Sequence, residues 1–167
     1  MSEARGAIIE EARKLAVDTL FSEKGQFIAA VWWRRVNYWI GGLAAFFGAL
    51  AGATILGGGD ALLPGLAALG SAALAALNTF LNPSDRASQH HTAGVRYAQL
   101  RRRLRQFVQI DPPIGTSDAL LKERLDAFTA EIAEIQEAAP PLYPAVRAKA
   151  KKEIDAGFSN YTENELE

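Results

Sequence analysis

The sequence predicts an all-α fold: a two-helix transmembrane hairpin between N-terminal and C-terminal cytoplasmic amphipathic helices, in an oligomer. Between Arg35 and Asp85 the only formal charge is Asp60. It separates two uncharged segments, each longer than the roughly 20 residues that a helix needs to cross about 30 Å of hydrocarbon. The residues are mostly Ala, Leu, Gly and Phe without strict alternation, which favours helices over barrel strands.

Aromatic and basic residues beside the hairpin predict its orientation. All three Trp, with one Tyr, lie where the first span begins, as in an interfacial belt. Arginines flank the hairpin on both sides, whereas the connecting loop has no Lys or Arg, so the positive-inside rule puts both termini in the cytoplasm. The predicted membrane-interface anchors are Trp32, Trp33, Arg34, Arg35, Tyr38 and Trp39. The alternative is a soluble bundle with two buried Ala-rich helices, but neither segment carries a charge on any face.

Composition limits the functions that the chain can have. A length of 167 residues predicts a single unit, and a net charge of -1 gives no pull toward nucleic acid, so we expect no nucleic-acid partner. The absence of Cys excludes disulfides, thiolate nucleophiles and Cys-ligated metals. No nucleophile–base pair can be assembled from the residues present. We therefore expect neither an enzyme nor a cofactor or metal.

Charge and periodicity divide the chain into four segments. These are N-terminal cytoplasmic helices at 1–35, the transmembrane hairpin at 36–84, a cytoplasmic helical hairpin with a short C-terminal helix at 85–160, and a disordered tail at 161–167. Within the transmembrane hairpin the spans cover about 36–57 and 61–82, with a turn at 57–60. We expect the N-terminal helices to be interrupted at Ser22–Gly25, because Gly in a helix interior costs about 1 kcal/mol relative to Ala.

The first span carries small residues at spacings of four, three and four, which puts them on one helix face. They are Gly41, Ala45, Gly48 and Gly52. The last two form a GxxxG pair, and small residues let helix backbones approach closely in lipid. The pattern leaves open whether this face packs within the hairpin or between subunits.

The second span carries the only polar stripe of the hairpin. Its candidate pore-lining residues are Ala68, Ser71, Ala75, Asn78 and Asn82. An amide in hydrocarbon is costly unless it finds a partner or water, so Asn78 faces either a neighbouring helix or an aqueous lumen. As a contact between helices it would contribute about 1 kcal/mol. For any single residue, contact between helices is slightly favoured, whereas the stripe as a whole strengthens the pore interpretation.

The C-terminal third has a heptad-like apolar run from Ala93 to Phe107 and a second from Leu121 to Ile135. Asn82 or Ser84 is the candidate cap for the first of these helices, and Ser117 for the second. Because the first helix is basic and the second acidic, we expect them to pack as an antiparallel pair.

Two clusters near the membrane surface are candidates for a cytoplasmic pore mouth or for a site that binds anions or ligands. They are His90, His91, Arg101, Arg102, Arg103 and Arg105. The histidines are adjacent and point about 100° apart on a helix, so they do not share a metal easily. They are either surface or interface residues or a pH-sensitive ring. The arginines either bind anionic lipid or a phosphorylated ligand, or form ion pairs with the acidic helix.

Short motifs follow one another along nearly the whole chain. They are Ser22-Glu-Lys-Gly-Gln-Phe27, Trp33-Arg-Arg35, the Gly/Ala-rich first span, Thr79-Phe-Leu-Asn-Pro-Ser84, His90-His91, Gly94-Val-Arg-Tyr97, the Arg-rich run Leu100–Arg105 and Pro-Pro-Leu-Tyr143. Their order and spacing resemble the SLATT domain, a SMODS- and SLOG-associating two-transmembrane effector domain.

The resemblance implies a function as well as a fold. It implies a bacterial antiviral or conflict-system effector that oligomerises and permeabilises the inner membrane as a pore or channel, with no catalytic residues. It also implies an external trigger, either a nucleotide second messenger or a separate sensor protein. The alternative is a non-conducting membrane-anchored scaffold that recruits a cytoplasmic signalling partner.

Overall fold

The computed structural model describes residues 3–58, 61–109 and 117–157. The regular elements in these ranges are all helices: α1 (Glu3–Leu56), α2 (Leu62–Leu81), α3 (Pro83–Gln109), α4 (Asp118–Ala138) and α5 (Pro144–Asp155). The all-α prediction with two long apolar helices is confirmed. Part of the predicted turn, residues 59–60, and the predicted tail, 161–167, lie outside the described residues.

The predicted interruption at Ser22–Gly25 is wrong, because α1 is one helix of 54 residues that runs through it. Tertiary packing explains why Gly25 does not end the helix. A Cβ at this buried position would lie 2.5 Å from Cδ1 of Leu142, so the missing side chain is what admits Leu142 against α1. This contact offsets the cost of about 1 kcal/mol that Gly brings to a helix interior.

The chain forms two compact units. The flanking unit consists of Met1–Ala29 and Gln89–Glu167, and the hairpin unit of Ala30–Ser88. The core of the flanking unit contains one apolar cluster around Tyr97, Leu100, Leu104 and Ile135, and a second around Ala12, Phe107 and Leu121. Each fully buried Leu stabilises the unit by about 1.5–3 kcal/mol.

The basic and acidic helices of the flanking unit pair as their charges predict. Arg96 donates a hydrogen bond to Glu134 at 2.7 Å, and Arg103 donates one to Glu131. The hydroxyl of Ser117 accepts a hydrogen bond from the backbone N–H of Leu120 at 3.3 Å, so the predicted cap of α4 is also confirmed.

Asn82 separates α2 from α3 within the hairpin unit. Its backbone is left-handed (φ 43°, ψ 54°), a conformation that Asn tolerates better than most residues. Its N–H donates to the carbonyl of Asn78, while its own carbonyl accepts the N–H of Arg86 at 3.2 Å. The same residue thus ends one helix and begins the next, and Pro83 takes the first position of α3, where a missing N–H costs nothing.

Candidate functional site

The hairpin unit presents its apolar side chains outward. Two helices are long and apolar enough, by length and composition, to cross a membrane, and only 6% and 11% of their apolar windows are buried. A core helix of a soluble protein would be mostly covered. Phe46, Leu63 and Phe80 are 62%, 66% and 85% exposed. Such a surface is suited to contact with lipid or with other apolar helices.

A narrow seam joins α1 to α2. The hydroxyl of Ser71 donates to the carbonyl of Ala44 at 2.8 Å, which is a hydrogen bond between the two helices. Gly48 leaves room for it, because a Cβ there would lie 3.3 Å from the Ser71 hydroxyl oxygen. Phe47 lies over Gly70, and Ala51 and Ala67 are buried. The hydrogen bond of Ser71 and the close approach at Gly48 therefore join α1 to α2.

The three residues predicted to share a small-residue face with Gly48 do not lie in this seam. A Cβ at Gly41 or Gly52 would meet nothing within 4 Å, and Ala45 is exposed. The predicted small-residue face is thus divided between the seam and the outer surface. The GxxxG pair contributes Gly48 to the first and Gly52 to the second.

The polar stripe of the second span is divided as well. Ala68 and Ala75 are exposed, and Asn82 is the junction between two helices. Ser71 lies in the seam. Asn78 is half-buried, and its amide oxygen Oδ1 is fully buried with no hydrogen-bond partner in the described part of the chain. An amide oxygen left in this state is destabilising by about 1–3 kcal/mol.

Among the predicted interface anchors, Trp33 has a different place from the others. It is 7% exposed, and the guanidinium carbon of Arg86 lies 4.8 Å from its ring centroid. Arg86 also donates from Nε to the carbonyl of Leu81 at 2.9 Å, so it joins Trp33 to the end of α2. The other anchors are exposed: Trp32, Arg34, Arg35, Tyr38 and Trp39.

The two histidines have separate environments in the flanking unit. His90 is 4% exposed, and its Nδ1 lies 2.6 Å from Oε1 of Gln26. The Nε2 of the same Gln26 donates to the carbonyl of Pro140 at 3.0 Å. His91 is exposed and lies edge-on to Phe27, with ring centroids 5.6 Å apart.

The arginine cluster is largely engaged within the flanking unit. Arg101 donates to Glu23 at 2.6 Å, and the two side chains are only 19% and 12% exposed. Arg103 pairs with Glu131, and Arg105 has an interaction of its own. Arg102 is exposed and has no ion-pair partner among the residues that the structure describes. Sequence reasoning placed all four together, whereas the structure gives them different roles.

A cavity of about 600 Å³ opens in the flanking unit. Its lining includes Gln26 and Tyr97, the segment at 139–142, and the basic residues Arg147 and Lys151. Burial raises the pKa of the Tyr97 hydroxyl, while its hydrogen bond with Ser22 and the nearby charge of Arg96 partly oppose this. The hydroxyl is therefore protonated at neutral pH and can donate a hydrogen bond.

The sequence did not single out Glu23, Gln26, Arg147 or Lys151 as site residues, although the first two lie within the motif from Ser22 to Phe27. The spacing of four between the two basic residues was the one available signal, because it places both on the same side of α5. No protein-family model, curated protein or solved structure matches the chain.

Proposed function

We propose that this chain is a bacterial membrane effector of the SLATT type, which oligomerises through its hairpin and forms a pore or channel in the inner membrane. The observation that carries the proposal is the buried amide oxygen of Asn78, which has no hydrogen-bond partner among the described residues, in a helix whose outer surface is otherwise largely apolar. In water such a surface would aggregate, whereas in lipid it is already solvated. We propose that both termini are cytoplasmic.

The amide oxygen of Asn78, unsatisfied among the described residues, favours assembly of this membrane hairpin. Within hydrocarbon no water reaches its amide, and a neighbouring copy or a water-filled lumen would supply the missing donor after a side-chain rotation. A Cβ at Gly41 or Gly52 would meet nothing within 4 Å among the described residues, so these glycines allow close approach of a second backbone. A ring of copies would place their Asn78 side chains around one axis.

Ion flux from liposomes tests the proposal. Liposomes that contain the purified wild-type protein should release entrapped ions, either spontaneously or after a trigger such as a nucleotide second messenger or a sensor protein is added. Asn78→Leu should reduce this release. Thr79→Val is the matched control, because the Thr79 hydroxyl already donates to the carbonyl of Ala75 in its own helix. No release under any condition, or equal release from all three proteins, would contradict the pore.

Membrane topology can be tested without background labelling, since the chain has no Cys. A membrane-impermeant thiol reagent added to intact spheroplasts should label Asp60→Cys and spare Ser88→Cys. Labelling of both, or of Ser88→Cys alone, would contradict the proposed orientation.

The second candidate function is a non-conducting membrane-anchored scaffold for a cytoplasmic partner. It is favoured by the use of Ser71 inside the hairpin, which removes one hydroxyl from any lumen. Fewer polar groups make a dry axis more stable. A closed oligomer that conducts nothing, and in which Asn78→Leu leaves the subunit number unchanged, would support the scaffold over the pore.

A further inference from the structure

The cavity of the flanking unit has the size of a site for small molecules. Its volume is about 600 Å³, within the range of roughly 300–1,000 Å³ that ligand sites occupy. Side chains from α1, α3, α4 and α5 all contribute to its lining. None of its described lining residues is a candidate site residue predicted from sequence, although three of the quoted motifs, Ser22 to Phe27, Gly94 to Tyr97 and Pro140 to Tyr143, contribute to it.

The charge of this cavity has one sign. Arg147 and Lys151, one turn apart on α5, both line it, and neither has an ion-pair partner in the described residues. None of the described lining residues is Asp or Glu. Two like charges at i and i+4 repel one another, so an anion held between them would remove an unfavourable interaction.

The remaining walls are apolar with a few polar groups. Phe21 and Leu142 line the cavity together with Tyr97 and Gln136. The wall at Leu142 is held in place by its contact with Gly25 and by the hydrogen bond from Gln26 to the carbonyl of Pro140 at 3.0 Å. The site is therefore formed before any ligand enters, which lowers the cost of binding.

We propose that this cavity binds a small organic phosphate, with the phosphate between Arg147 and Lys151 and an apolar or aromatic part against Phe21 and Leu142. A phosphate monoester carries close to two negative charges at neutral pH, which matches the two cations. Tyr97 and Gln136 supply hydrogen-bond donors for its polar groups. The inference does not depend on whether the hairpin conducts.

Binding can be measured on the full chain in nanodiscs of zwitterionic phosphatidylcholine. The soluble probes are adenosine 5′-monophosphate, adenosine and inorganic phosphate. Their binding is measured by ligand-observed NMR and by the shift in the melting temperature of the protein. We expect the monophosphate to bind at least about tenfold more tightly than either adenosine or phosphate alone, because only the monophosphate satisfies both parts of the cavity.

The test variant is R147Q/K151Q, and the matched control is K149Q/K152Q, which removes two charges from the same helix outside the cavity lining. The first should weaken binding of the monophosphate by about tenfold or more, and the second by less than about twofold. Far-ultraviolet circular dichroism confirms that both variants fold. Equal loss in both variants, or no binding of the monophosphate to wild type and no response to lipid, would overturn the proposal.

The phosphate of an anionic lipid headgroup, which in phosphatidylglycerol is a diester with one negative charge, could also contact these two cations, and a second arm distinguishes it. Nanodiscs that contain phosphatidylglycerol should leave binding of the soluble monophosphate within about twofold if the ligand is a free organic phosphate. If the occupant is instead a headgroup, phosphatidylglycerol will raise the melting temperature of wild type and K149Q/K152Q but not of R147Q/K151Q, and will displace the soluble probe.

Discussion

The imidazole Nδ1 of His90 lies 2.6 Å from Oε1 of Gln26, a residue 64 positions earlier in the chain. Both side chains are buried. An amide oxygen can only accept a hydrogen bond, so Nδ1 carries the proton and donates it. Since Gln26 also donates to the carbonyl of Pro140, a single amide connects α1, α3 and the segment that follows α4.

Gln26→Ala should destabilise the protein more than the same substitution at an exposed glutamine. It removes the acceptor of the buried Nδ1–H of His90 and the donor to the half-buried carbonyl of Pro140, and loss of a buried hydrogen-bond partner costs about 1–3 kcal/mol. We expect a loss of about 2 kcal/mol or more in the free energy of unfolding, measured by denaturant titration in detergent. The control is Gln99→Ala, an exposed glutamine on α3, with a loss below about 0.5 kcal/mol. Equal losses would show that the buried amide contributes nothing special.

The ion pair of Glu23 and Arg101 should be worth more than the pair of Arg96 and Glu134. The side chains of Glu23 and Arg101 are 12% and 19% exposed. Those of Arg96 and Glu134 are 38% and 71% exposed. Arg101→Gln leaves a largely buried carboxylate unpaired and should cost about 3 kcal/mol, whereas Arg96→Gln should cost under about 1 kcal/mol. Double-mutant cycles with Glu23→Gln and Glu134→Gln measure the coupling. A coupling energy for the surface pair that equals the buried one would contradict this order.

Gly94 and Gly6 should respond to alanine with opposite signs. A Cβ at Gly94 would lie 3.0 Å from Cε1 of Phe27, whereas a Cβ at Gly6 would meet nothing within 4 Å. Both glycines are inside helices, where Ala is favoured by about 1 kcal/mol. Gly6→Ala should therefore raise the melting temperature and Gly94→Ala should lower it, because Phe27 must move. The explanation fails if Gly94→Ala is the more stabilising of the two.

Stability should fall at alkaline pH in part through Tyr97. Burial raises the pKa of its hydroxyl in the folded chain, so the unfolded chain loses this proton first. The stabilising contribution of Tyr97 is present below its pKa in the unfolded chain, about 10. It is lost as the pH rises from that pKa to the higher pKa in the folded chain. Tyr97→Phe should have a shallower fall in unfolding free energy across that window. Tyr143→Phe, at an exposed position, is the control, and identical profiles for the two variants would contradict the assignment.

Local patterns predicted several elements because their causes are local. The absence of charge between Arg35 and Asp85, apart from Asp60, marked the two apolar helices, and Ser117 marked the start of α4. The spacing of Tyr97, Leu100 and Leu104 predicted one buried face of α3, which the core confirms. Each signal comes from residues that are close in sequence, within a turn or a few turns of helix.

Other features depend on partners that are distant in sequence. Nothing near Arg101 indicated Glu23, which is 78 positions away, and nothing near Trp33 indicated that Arg86 would cover its ring. The division of the small-residue face, with Gly48 in the seam and Gly52 outside, depends on how α2 lies against α1.

The sequence by itself determined that the chain is helical, that two helices are apolar enough to span a membrane, and which faces of α3 and α4 are apolar. Only the tertiary structure decided that α1 continues through Gly25, that His90 is buried on Gln26, and that Arg147 and Lys151 share a cavity. The physical reason is that helix propensity and amphipathic periodicity act over neighbouring residues, whereas close packing and the pairing of buried polar groups act between segments that only the fold brings together.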